Sequence, residues 1–171
     1  MTALPLPQPT EEEIRQDMEL LFYAYRDYTA EADVVLARHR LGRAHHRALY
    51  FIGRNPGITV SALLAILRIT KQSLARVLGD LVRQGLVVQR TRTEDRRRRH
   101  LELTDKGAEL ERHLMERQRA RMVRAYGGAG GTAVAGYREV LLGMVNDADR
   151  RRLEAASTPP HTAVRRTGEG S

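Results

Sequence analysis

Apolar residues recur at helical spacing along most of this 171-residue chain. The first run, Ile14, Met18, Leu21, Phe22, Tyr25, Tyr28, Ala32, Val35 and Leu36, predicts one amphipathic helix to about Arg38. Thr10-Glu11-Glu12-Glu13 ahead of it reads as a capping box, a hydroxyl followed three residues on by a carboxylate. Such a helix is roughly 40 Å long at ~1.5 Å per residue, which is long for a small domain. Leu41-Gly42 interrupts the pattern. Ala48, Leu49 and Ile52 then mark the inner face of a second helix over about 44–53, closed by the turn Asn55-Pro56-Gly57. Ile58-Thr59-Val60 reads as a minimal strand and 61–68 as a third helix.

Thr70 is a good N-cap for a fourth helix. Leu74, Val77, Leu78, Leu81 and Val82 form its apolar stripe, and Lys71, Gln72, Ala75, Arg76, Gly79 and Arg83 occupy the other face. Gly85 stops it at a natural C′ position. Residues 86–91 and 99–103 read as two strands, with the apolar-free stretch 92–98 as the tip between them. Thr104 launches a long polar helix to about Tyr126, with Leu110, Leu114 and Met122 on one side. Gly127-Gly128-Ala129-Gly130-Gly131 is expected to break it, and a last helix over 133–155 to bury Val134, Tyr137, Leu141, Met144, Val145 and Ala148. Residues 1–9, with three prolines, read as a flexible arm and 156–171 as a disordered tail.

The predicted architecture is mainly α with a small β-wing: a winged helix-turn-helix lobe over about 42–104, inside one domain spanning 10–155. Helices over about 10–38 and 104–155 flank the lobe and carry apolar stripes that this chain has too little mass to cover. A two-fold homodimer would bury them.

Charge sharpens this picture. Formal net charge is +8, with a pI near 10.5, and a basic domain attracts polyanions. Between positions 83 and 99 lie seven arginines (83, 90, 92 and 96–99) against Glu94 and Asp95, a local excess of five positive charges. A helix beside an arginine-tipped hairpin can grip a duplex at two neighbouring grooves, so double-stranded DNA is the first partner to consider. The absence of cysteine excludes disulfides and cysteine metal sites. The proline-rich, then acidic start does not read as a signal peptide. No apolar run approaches the ~20 residues that span a bilayer, so the chain is expected in the cytoplasm. Six histidines include no H-x-x-x-H pair, and no metal or cofactor is expected. There is no G-x-S-x-G and no phosphate-binding glycine loop, and the Gly127–Gly131 run follows a helix rather than a strand, so an enzyme is not expected.

Asp95-x-Arg97-x-x-x-Leu101-x-Leu103-Thr104-x-x-Gly107, together with Leu81-x-x-x-Gly85-Leu86-Val87 upstream, resembles the wing signature of the MarR family of bacterial transcription regulators. The similarity in layout runs from about Thr10 to Leu153. Arg90 sits where the family places a wing arginine. The sequence departs from the family in having Thr93-Glu94 where a proline commonly precedes the aspartate, and in its longer arginine run. The resemblance implies a homodimeric, sequence-specific DNA-binding regulator, a repressor released by a small effector, acting on a palindromic operator. The alternative kept open is an architectural winged-helix protein without sequence preference. An RNA-binding role is disfavoured because the wing lacks stacking aromatics.

The expected DNA contacts follow from groove chemistry. Residues at the start of a recognition helix over 70–84 meet base edges in the major groove. Gln72 suits adenine, Lys71 guanine or phosphate, Arg76 guanine or backbone, and the hydroxyls of Thr70 and Ser73 suit phosphate. In the wing over 86–103, Arg97 is the expected minor-groove residue, since arginine fits that narrow, electronegative groove. Arg96 and Arg98 support it on phosphates, and Arg90 and Arg92 complete the wing residues expected to bind DNA. Asp95, as the resemblance implies, pairs with a nearby arginine to fix the hairpin. The resemblance also implies a pocket for a small aromatic or anionic effector between the dimer helices and the DNA-binding lobe. Met18, Phe22, Tyr25, His45, His46 and Tyr50 are its candidate liners. The plainer reading of Met18, Phe22 and Tyr25 is ordinary core, while His45 or His46 can bind a carboxylate or sense pH.

Overall fold

The computed structural model describes residues 8–92 and 95–157, with backbone alone at 92, 95–98 and 155–157. Most of the expected arm and tail, and Thr93-Glu94, lie outside these residues. In chain order the elements are α1 (Glu11–Arg38), α2 (Arg43–Arg54), β1 (Ile58–Thr59), α3 (Val60–Leu67), α4 (Lys71–Arg83), β2 (Val87–Arg92), β3 (Asp95–Leu103), α5 (Asp105–Ala129), α6 (Gly131–Met144) and α7 (Asp147–Ser157). The chain divides into two compact units between Ala125 and Tyr126, within α5.

The first unit forms around leucines. Leu36, Leu49, Ile52, Leu63, Leu74, Leu81, Leu86, Leu101 and Leu114 are all fully buried, which brings α1 to α5 and the sheet to one core. Each such side chain contributes roughly 1.5–3 kcal/mol of burial. The capping box forms as its residues dictate. Thr10 Oγ accepts the Glu13 amide at 3.2 Å, and a Glu13 carboxylate oxygen accepts the Thr10 amide at 2.7 Å. That hydrogen bond, with the one from the Thr10 hydroxyl, holds the Glu13 carboxyl below its usual range. Only the last third of α1 reaches the core, through Ala32, Val35 and Leu36. Ile14, Met18, Leu21, Phe22 and Tyr25 are exposed. Arg121 pairs with Glu31 at 2.8 Å, and Gln118 donates to the Tyr28 carbonyl at 3.4 Å, so α5 is tied to the inner end of α1.

The sheet is antiparallel in the order β1-β3-β2. β1 is two residues long because Val60 already begins α3, with Thr59 as its cap. Ile58 pairs with Leu101 and Thr59 with His100, which pins the wing's root to the helix-turn-helix. β3 begins at Asp95, so the seven-residue tip expected over 92–98 shrinks. The register steps from Thr91↔Arg99 to Arg92↔Asp95, which makes Arg96, Arg97 and Arg98 extra residues on the β3 side of an irregularity.

The second unit departs further from expectation. α5 runs through Gly127 and Gly128 and ends only at Ala129, because Gly130 takes φ +81°. The expected helix over 133–155 is two helices, separated at Val145-Asn146. Asn146 Oδ1 accepts the Asp149 amide at 3.1 Å and so caps the start of α7. No residue of α6 is buried, and Tyr137 and Met144, expected in a core, are exposed. Tyr126 and Tyr137 meet edge-to-face at 6.3 Å.

Candidate nucleic-acid interface

α4 owes its place to both its stripe and its ends. Leu74, Val77, Leu78 and Leu81 are buried beneath it. Val82, expected in the same stripe, is 41% exposed and faces away from the core. At the N-terminus Thr70 Oγ accepts the Ser73 amide at 3.1 Å and donates to Ser73 Oγ at 2.8 Å. The Thr70 hydroxyl is thus committed to the cap, and the Ser73 hydroxyl proton is the one left to point outward. Lys71, Gln72, Ser73 and Arg76 are exposed together at this end. The turn from α3 to α4 passes through Arg68 in the left-handed region, φ 50°.

The C-terminus of α4 is closed by the chain that returns from the wing. The Gly85 amide bonds Val82 O at 2.9 Å and the Leu86 amide bonds Leu81 O at 2.9 Å, a Schellman motif with Gly85 at φ +68°. Three successive carbonyls then accept from the start of α5. Lys106 Nζ donates to Gln84 O at 2.9 Å, Thr104 Oγ to Gly85 O at 2.6 Å, and the Thr104 amide to Leu86 O at 3.1 Å. Thr104 Oγ also accepts the Gly107 amide at 3.0 Å. A Cβ on Gly107 would lie 1.9 Å from Leu86 O, so only glycine permits this approach. The Leu-Thr-x-x-Gly motif is therefore a clamp that locks α4, the wing and α5 to one another. Lys106 also places its charge at the electronegative end of α4.

A second brace reaches α4 from α2. The Gly42 amide donates to His45 Nδ1 at 3.0 Å, so the ring proton sits on Nε2, which donates to Asp80 Oδ2 at 3.1 Å. Arg83 pairs with the other Asp80 oxygen at 2.7 Å. These two partners, Arg83 foremost, hold the Asp80 carboxyl below the usual carboxylate range. The sequence offered no sign of this contact between residues 35 positions apart.

On the wing, Arg90 pairs with Glu102 across the strands at 3.2 Å. Arg99 donates to Gln89 at 3.4 Å, and His100 Nδ1 donates to Gly57 O at 2.8 Å. The side chains of Arg92, Asp95, Arg96, Arg97 and Arg98 lie outside the described residues, and with them the expected aspartate–arginine pair. Two hollows separate α4 from the wing. One, of about 640 Å³, includes Lys71, Ala75, Gly79, Gln89 and Arg99 in its walls. The other, of about 560 Å³, is formed by Val82, Arg83, Gly85 and Val88 with the same Gly79 and Gln89.

The six candidate effector residues separate into groups. Arg47 donates to the Tyr25 hydroxyl at 2.6 Å, joining α1 to α2, and Arg43 forms a two-pronged pair with Asp33 nearby in sequence. His46 is half-buried, and burial pushes its ring toward the neutral form. His45 has both ring nitrogens engaged, as described above. Tyr50 packs edge-to-face on Phe51 at 5.2 Å. Met18 and Phe22 are 65% and 61% exposed on α1. None of the six lines either hollow beside α4. Among the described residues no group of three or more His, Cys, Asp or Glu is placed to hold a metal, and no helix is long and apolar enough to cross a membrane.

Comparison with known proteins agrees with this geometry. The sequence model of the MarR family matches residues 41–98, from the start of the helix-turn-helix into the wing. The HTH-type transcriptional regulator PetP of Rhodobacter capsulatus is 52% identical over 145 residues, 85% of this chain and 87% of that protein. Among solved structures, MarR itself superposes with a TM-score of 0.61 at 24% identity, over 90% of this chain and 97% of that one. FabT of Streptococcus pneumoniae in complex with DNA gives 0.65 at 21% identity, over 83% and 98%.

Proposed function

This chain belongs to the MarR family of DNA-binding transcription regulators and not to an enzyme family, and from that premise we propose that it is a cytoplasmic, homodimeric repressor of a palindromic operator, released by a small aromatic or anionic effector. In this reading the lobe over about 42–104 binds DNA, and helices over 10–38 and 104–155 make the dimer. The α4 face bearing Lys71, Gln72, Ser73 and Arg76 enters the major groove, and the wing, with Arg90 and Arg92, enters the adjacent minor groove through Arg97, with Arg96 and Arg98 on phosphates. Asp95 pairs with a nearby arginine and fixes the shape of the hairpin. The observation that carries the proposal is the clamp. Thr104, Lys106 and Gly107 join recognition helix and wing into one rigid body, as two-groove reading requires.

For release, Tyr25 on α1 with His46 and Tyr50 on α2 are the effector contacts favoured here, because His45 is already committed to Asp80. Met18 and Phe22 are better suited to the dimer face.

Footprinting on DNA fragments selected by the purified protein tests the main reading. Two protected half-sites about one helical turn apart are expected, whereas uniform coverage would establish the architectural alternative. Arg97→Ala should weaken operator binding by about 1–3 kcal/mol in gel-shift titration. Wild-type affinity in that variant would remove Arg97 from the groove.

A further inference from the structure

Gly79 stands in the middle of α4, where glycine is the poorest helix former after proline. Among the described residues nothing accounts for it. Gly85 has positive φ and Gly107 has a carbonyl pressed against it, but Gly79 is helical, and among the described residues a methyl group there would meet only the tip of Arg83, 4.0 Å away. The reason therefore lies outside the chain. At ~100° per residue, Gln72, Arg76, Gly79 and Arg83 fall within about 60° of arc on one face of α4. Gly79 and Gln89 are also the two residues shared by both hollows, so they form the saddle of one trough between helix and wing. Lys71 and Arg99 flank one side of the saddle and Arg83 the other, a cationic border suited to an anionic strand.

A duplex that receives α4 in its major groove and the wing in the neighbouring minor groove has one sugar–phosphate strand between those grooves. That strand has to cross the gap between α4 and β2. We propose that it crosses at the saddle, with the missing side chain of Gly79 as the clearance and the Gln89 amide donating to a phosphate oxygen. Gly79 is thereby a positioning residue. It sets how deeply α4 can sit while the wing stays engaged, and phosphate contacts of this kind fix register rather than read sequence. The inference rests on the two-groove reading above.

The test is Gly79→Ala, measured for thermal unfolding and for affinity to a DNA fragment selected by the wild-type protein. The unfolding midpoint should rise, because alanine favours the helix, while DNA binding weakens by roughly tenfold. Gln89→Glu, which sets a carboxylate against the phosphate, should weaken binding by a similar factor without lowering the midpoint. A Gly79→Ala protein that binds as tightly as wild type overturns the clearance. A lowered midpoint also overturns it, since the chain itself would then need the glycine. Unchanged binding by Gln89→Glu overturns the phosphate contact. Failure of the wild-type protein to select any DNA overturns the two-groove reading together with this inference, which sets that outcome apart from the others.

Discussion

α4 and α1 are both amphipathic and both begin at a threonine cap, yet they end in opposite situations. α4 buries Leu74, Val77, Leu78 and Leu81 in its own chain, and both of its ends are closed by hydrogen bonds. α1 buries only Ala32, Val35 and Leu36, and leaves Ile14, Met18, Leu21, Phe22 and Tyr25 open to solvent. Their caps differ as well. α1 closes in a Schellman motif like that of α4, with Arg40 bonded to Ala37 O and Leu41 to Leu36 O, but places an arginine at φ 53° where α4 has glycine. The comparison teaches that an apolar period reports a face and not its cover. α4 was completed within one chain. Most of α1 was left for something else to complete.

The contrast can be broken most forcefully at the clamp. Gly107→Ala drives a methyl group into Leu86 O and should cost about 3 kcal/mol, because backbone has to move. Urea unfolding with a wild-type midpoint would show that α4 is not held this way. Next comes the open face of α1. Phe22→Glu should leave the stability of the folded protomer within about 0.5 kcal/mol of wild type, yet weaken self-association by about 2 kcal/mol if Phe22 anchors a dimer. Sedimentation at micromolar concentrations distinguishes these effects, and an unchanged dimer would move the interface elsewhere. The smallest effect is expected at Arg40. Arg40→Gly relieves a left-handed arginine and should stabilise the chain by about 0.5 kcal/mol, the penalty being partly offset by the freedom glycine regains when unfolded. A lower thermal midpoint would mean that the arginine side chain matters more than its backbone.

Features encoded by neighbouring residues were legible in the sequence. The Thr10 and Thr70 caps, the stop at Gly85 and the turn at Asn55-Pro56-Gly57 all depend on side chains within a few positions of each other. The division of α6 from α7 was missed because Val145-Asn146 contains neither glycine nor proline, although Asn146 with Asp149 three residues on is a usable capping signal. Gly127 and Gly128 misled in the other direction, since a glycine weakens a helix without ending it unless its φ turns positive, as at Gly130. In the candidate site, Lys71, Gln72 and Arg76 could be grouped from periodicity, and Ser73 from its place at the start of the helix. The His45–Asp80 brace and the grip of Lys106 on α4 could not, because each joins positions that only the tertiary fold brings together. The Leu-Thr-x-x-Gly motif was visible as a pattern, but its purpose appeared only with the Leu86 carbonyl beside Gly107.

The clamp also imposes an order of events on a growing chain. The carbonyls at the end of α4 wait for donors 19 and 22 residues further on, beyond the whole wing. As synthesis proceeds from the N-terminus, α4 can coil early and close its last turn locally, but the Gln84 and Gly85 carbonyls just past it stay hydrated until the hairpin has been made and the chain has come back. Both wing strands and the first turn of α5 should therefore acquire protection from hydrogen exchange together, as a single step later than α4, and lose it together when the protein opens.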